Sequence, residues 1–160
     1  MKIVVWSNPT TGRMGQAIPT YGAAHGLSDE QLITRTYDKW VARGMENVQI
    51  IEATGADDEV DGGRYFRNAW EVVDGARVAN RTKAETVKME RIRRVRNRQL
   101  GVEDINWNRA NGDDAKAVVE TERQRLRDIP ATFDISTSAF PSIENLKAAW
   151  PDLTSEPEDE

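Results

Sequence analysis

RTKAETVKMERIRRVRNRQL, residues 81–100, decides the architecture of this chain. Ala84, Val87, Met89, Ile92, Val95 and Leu100 form a thin apolar stripe at helical spacing on a segment otherwise full of arginine. Thr82-Lys83-Ala84-Glu85 has the form of a capping box, in which Thr82 and Glu85 would each satisfy a free backbone N–H, so a helix is expected to open there. Gly101 is expected to interrupt it, and Ile105, Trp107 and Ala110 predict a further turn or two before Asn111-Gly112. Asp113 and Asp114 are placed to cap the next helix and to favour its positive end. Ala115, Val118, Val119, Leu126 and Ile129 then recur along it, and Pro130 is expected to stop it. Two helices joined by a short break predict an antiparallel pair. A thin stripe on each leaves surface for self-association or for a partner.

On the N-terminal side the periodicity changes from helical to extended. Lys2 to Trp6 is a β-branched run closed by the turn cluster Asn8-Pro9-Thr10-Thr11-Gly12, and Met14 to Pro19 reads as a second strand. Ser28-Asp29-Glu30-Gln31 is a capping box that opens a helix ending at Gly44, and Val48 to Glu52 reads as a third strand. Asp74-Gly75 between two apolar runs predicts a type I′ hairpin, because both positions tolerate a positive φ. The expected class is therefore α+β: a ββαβββ head over 1–80, a basic helical hairpin over 81–130, and a terminal stretch over 131–160. That last stretch holds a short helix capped by Ser142, and an acidic end.

Composition narrows what the chain can do. With 160 residues, 38% hydrophobic and 31% charged, it can bury a modest core. No run approaches the roughly 20 apolar residues that span a bilayer, so no membrane partner is expected. Met1 to Ser7 looks like a strand and lacks the apolar core of a signal peptide. Cysteine is absent and histidine occurs once, which removes disulfides and leaves a zinc site without ligands. Charge is segregated: residues 1–80 carry a net −3, residues 81–128 a net +4 and residues 129–160 a net −6.

Residue types that carry chemistry are sparse. His25 lies between Ala24 and Gly26 without a serine or acid placed for a triad. Asp57, Asp58, Glu59 and Asp61 cluster among glycines but lack the alternating register and the closing glutamate of a calcium loop. No phosphate-binding glycine loop is present. No catalytic residue, metal or cofactor is therefore expected. The arginine run is the sharper feature. Arg91, Arg93, Arg94, Arg96 and Arg98 can steer an acidic partner or rest on nucleic-acid phosphates. The second course is disfavoured by the acidic whole and by the absence of interleaved aromatics. Glu120, Glu122 and Asp128 on the following helix offer these arginines internal partners. Trp6, Trp40, Phe66, Trp70, Ile92, Val95, Leu126 and Ile129 are the expected core. Trp107 and Trp150, in the thinner helical region, are expected to anchor a partner.

Several of these residues also fall in recognisable short motifs. Arg64-Tyr65-Phe66-Arg67-Asn68-Ala69-Trp70 followed by a hairpin resembles the R-x-F-R-x-A-W signature of small bacteriophage and prophage proteins encoded near tail genes. The basic helix with Ile92-Arg93-Arg94-Val95-Arg96, then Gln124-Arg125-Leu126-Arg127-Asp128-Ile129-Pro130, then Leu146-Lys147-Ala148-Ala149-Trp150-Pro151, is similar to the C-terminal region of tail-fibre assembly and tail-assembly chaperone proteins. The resemblance implies a non-enzymatic protein of tail or tail-fibre morphogenesis, with tail or tail-fibre proteins as partners. It implies residence in the host cytoplasm during assembly or in the virion, and no cofactor. The chain departs from the pattern at Gly101, where the family's basic helix usually runs on.

Overall fold

The computed structural model describes residues 1–19, 26–53 and 60–154, and the chain forms two compact units, Met1–Ala84 and Glu85–Glu160. His25 and Asp57, Asp58 and Glu59 lie outside the described residues, whereas Asp61 is exposed.

The first unit is α+β, with β1 (Lys2–Ser7), β2 (Met14–Ala17), α1 (Asp29–Ala42), β3 (Glu46–Glu52), β4 (Trp70–Val73) and β5 (Ala76–Ala79) in the expected order. The strands make two antiparallel sheets, β2–β1–β3 and the hairpin β4–β5. The middle position of β1 explains why Ile3-Val4-Val5-Trp6 is apolar without alternation. Ile3 and Val5 meet Ile51 and Val72 on one face, while Val4 and Trp6 meet Ile33 and Tyr37 on the other. Helix α1 opens as its residues predict: Ser28 Oγ accepts from the Gln31 N–H at 3.3 Å, and Gln31 Oε1 accepts from the Ser28 N–H at 2.8 Å. Asp74 and Gly75 have φ of 50° and 76°, as a type I′ turn requires.

Trp6 is held between two surfaces. Its ring stacks on Trp40 at 3.7 Å between centroids, and it pairs in register with Gly15 on β2. Trp40 itself is only half-buried, so it serves as the outer cover of this cluster. A Cβ built on Gly15 would lie 2.4 Å from the Trp6 indole. Gly15→Ala is therefore expected to cost about 1–3 kcal/mol through overpacking, seen as a lower urea midpoint for the full chain. An unchanged midpoint would mean that the indole is free to swing away.

Between β3 and β4 lies an element the sequence reading did not resolve, a 3-10 helix over Gly63–Ala69 with a kink at Phe66. It buries Tyr65, Phe66 and Ala69, and delivers Trp70 to the core at 1% exposure. Arg77 and Arg67 cover the Trp70 ring at 5.1 and 5.8 Å, and Arg77 Nη1 donates to Gln16 Oε1 at 2.6 Å.

The helical region departs from expectation at its ends and joints. Helix α2 runs unbroken from Arg81 to Arg109, straight through Gly101. A helical glycine costs only about 1 kcal/mol relative to alanine, which neighbouring packing outweighs. Its cap is Asn80, whose Oδ1 accepts from the Lys83 N–H at 3.0 Å; Thr82 lies inside the first turn. Helix α3 spans Asp113–Thr132, with Gly112 at the cap position and no side-chain cap bond; Asp113 and Asp114 contribute charge to the first turn instead. Pro130 does not stop it. Placed in the last turn, the proline forfeits one backbone bond, and the Phe133 N–H still closes on the Ile129 carbonyl at 2.9 Å. Helix α4 spans Ile143–Ala148 behind its Ser142 cap. It belongs with the hairpin in the second unit.

Candidate functional site

Within the second unit, α2 and α3 run antiparallel. Ile92 packs on Leu126 and Ile129 near one end, while Asp104 and Trp107 meet Arg123 nearer the connection. Met89, Leu100, Phe133, Trp150 and Leu153 close the Ile92 cluster, and Val95 is buried at 4% exposure. Val118, expected in the apolar stripe, is instead 72% exposed. It lies seven residues before Arg125, which is bonded to Asp152 of the C-terminal segment, and the described part of that segment ends at Thr154.

The C-terminal segment follows the hairpin through three polar clips. Lys88 Nζ donates to the Lys147 carbonyl at 2.9 Å and stands 4.9 Å from the centre of the Trp150 ring. Arg125 Nη1 donates to the Asp152 carbonyl at 2.8 Å, and Gln99 Nε2 donates to Thr154 Oγ1 at 2.8 Å. Lys88 is fully buried. Its position midway between Ala84 and Ile92, four residues from each, puts it on the buried face of a helix otherwise rich in charge.

Trp107 and Trp150 are both packed on this chain's own cations. Trp107 lies under Arg123 at 5.2 Å and Lys116 at 5.8 Å, and the Trp150 indole N–H donates to the Thr154 carbonyl at 3.1 Å. Each is half-buried, so each holds the unit together while keeping an edge at the surface.

The carboxylates of α3 do not serve the arginine run. Glu120 accepts from Arg123 at 2.6 Å and from Arg127 at 2.7 Å, Glu122 takes the Arg125 guanidinium through two bonds of 2.7 Å, and Asp128 accepts from Gln124 at 2.8 Å. The Arg127 hydrogen bond holds Glu120 below the ordinary carboxylate value, and the Arg125 bond does the same for Glu122. Between the two helices the ion pair runs the other way, from Arg123 on α3 to Asp104 on α2 at 2.8 Å.

Arg91 and Arg96 are half-buried on α2. Arg93, Arg94 and Arg98 are exposed and make no ion pair with a described residue. The five arginines thus do not act as one patch. Three face solvent without an ion pair among the described residues, on a helix whose far side is apolar. Among the described residues, no group of three or more histidine, cysteine, aspartate or glutamate side chains converges, and no helix is long and apolar enough to cross a membrane. Comparison with known proteins found no matching family model, no matching curated protein and no matching solved structure.

Proposed function

We propose that this chain is a non-enzymatic bacteriophage tail-associated protein. It acts in tail or tail-fibre assembly through protein–protein contacts, as an assembly factor or a minor virion component. The observation that carries the docking role is the exposed arginine surface of α2, unpaired among the described residues, beside an α3 whose Glu120 and Glu122 are already engaged. A surface held positive in this way speeds encounter with an acidic partner and loses that advantage as salt rises. The tail assignment rests on the four short motifs at 64–70, 92–96, 124–130 and 146–151. Phe66, Trp70, Leu126, Ile129 and Leu146 from those motifs are all buried, the first two in the first unit and the other three in the second, which presents the surface.

Quantitative mass spectrometry of purified particles beside the crude lysate of producing cells tests the assignment. Retention at fixed stoichiometry identifies a virion component. Abundance in lysate with co-purification of a tail protein identifies an assembly factor. Absence of this chain from particles, with no tail protein co-purifying with it from the lysate, would sink the reading. The same arginines favour nucleic acid as the alternative partner, which predicts duplex binding that fades steeply from low to moderate salt.

A further inference from the structure

We infer that the outer stripe of α2 formed by Arg94, Arg98, Gly101, Val102, Ile105 and Arg109 is a docking face for an acidic amphipathic helix of another protein. The inference rests on the protein–protein reading above and supplies its surface and partner chemistry. All six residues are exposed, and they recur at three- and four-residue steps on the side of α2 opposite Met89 and Ile92. Val102 and Ile105 are 55% and 51% exposed at the middle of this stripe, with arginines at both ends. Arg94, Arg98 and Arg109 make no ion pair with a described residue. From Arg94 to Arg109 the stripe follows one continuous helix for about 22 Å, which suits a second helix lying along it.

Gly101 points the same way independently. It sits inside a continuous helix, where glycine is the least favourable residue after proline, and a Cβ built there meets nothing within 4 Å. Nothing in the chain's own packing asks for a glycine at this position. A partner backbone approaching closely between Arg98 and Val102 does.

A second copy of the chain fits the stripe poorly. Antiparallel pairing about Gly101 and Val102 would bring Arg94 of one copy towards Arg109 of the other, like charge against like. Phosphates would satisfy the arginines and leave Val102 and Ile105 without a role. An acidic helix with a central apolar pair satisfies both.

The test titrates the full chain with a synthetic helical peptide bearing a central leucine pair flanked on one face by glutamates. A scrambled peptide of the same composition serves as control. The patterned peptide is expected to bind, the scrambled one to fail, and Gly101→Leu to lower affinity at least about tenfold without lowering the melting temperature. Gly101→Ala is expected to raise the melting temperature while weakening binding. A patterned peptide that does not bind, or a G101L affinity equal to wild type, overturns the inference. So does a dimer that dissociates on G101L, or duplex DNA that displaces the peptide at equal charge concentration. These outcomes leave the particle and lysate measurement untouched, so the two readings fail separately.

Discussion

Trp70→Ala is expected to destabilise the first unit by about 3–5 kcal/mol, a large part of the 5–15 kcal/mol that holds a typical domain together. The indole is 1% exposed, follows the 3-10 helix that buries Tyr65 and Phe66, and is covered by Arg67 and Arg77. Alanine would leave two guanidinium groups without the aromatic face they pack on, as well as a cavity the hairpin cannot close. The indole N–H has no hydrogen-bond partner among the described residues. Trp70→Phe therefore removes an unsatisfied buried donor together with part of the ring, and its cost should be clearly smaller than that of alanine. Urea unfolding of the full chain, followed by near-ultraviolet circular dichroism, measures both variants. Equal losses for the two would show that a smaller ring does not substitute for the whole indole and that the unpaired donor carries no cost there.

Lys88→Ala is expected to release the C-terminal segment, at a cost of about 3 kcal/mol from the lost charged hydrogen bond and the lost contact with Trp150. Lys88 is fully buried and joins α2 to the Lys147 carbonyl at the end of α4. Truncation leaves that carbonyl without this donor and removes the cation beside Trp150. Lys88→Met keeps much of the volume without the donor, so it should fall between alanine and wild type. Hydrogen exchange read over residues 143–154 is the discriminating measurement. Rapid exchange there, with slow exchange retained around Ile92 and Leu126, is the expected pattern. Unchanged protection in the alanine variant would mean that Arg125 and Gln99 hold the segment unaided.

Most helices and strands were legible because their signals are local. Ser28 and Gln31 cap α1 from three residues apart, and Asp74-Gly75 forces a turn through its own φ preferences. The Ile3–Trp6 run told of a strand and hid its position, since burial on both faces depends on which elements later cover it. At Gly101 and Pro130 local preference lost to context. Each residue disfavours helix by a finite amount, and α2 and α3 recover it through side chains packed elsewhere. The same logic displaced the cap of α2 to Asn80, whose carboxamide reaches the Lys83 N–H one turn on.

The candidate surface was legible as composition and illegible as geometry. The arginine run announced a positive helix, yet its charge counted alike whether a residue pointed outward, as Arg94 and Arg98 do, or inward, as Lys88 does. Periodicity alone determined that this chain is α+β, with strands first and a basic helical pair after. It also selected Ile92, Val95, Leu126 and Ile129 as core, because apolar side chains repeat at the period of the helix that buries them. Only the tertiary structure decided which cations are neutralised and which remain available. Ion pairing depends on side chains brought together from separate elements, as Arg123 is with Asp104 and Arg125 with Asp152, and no spacing within one helix encodes that meeting.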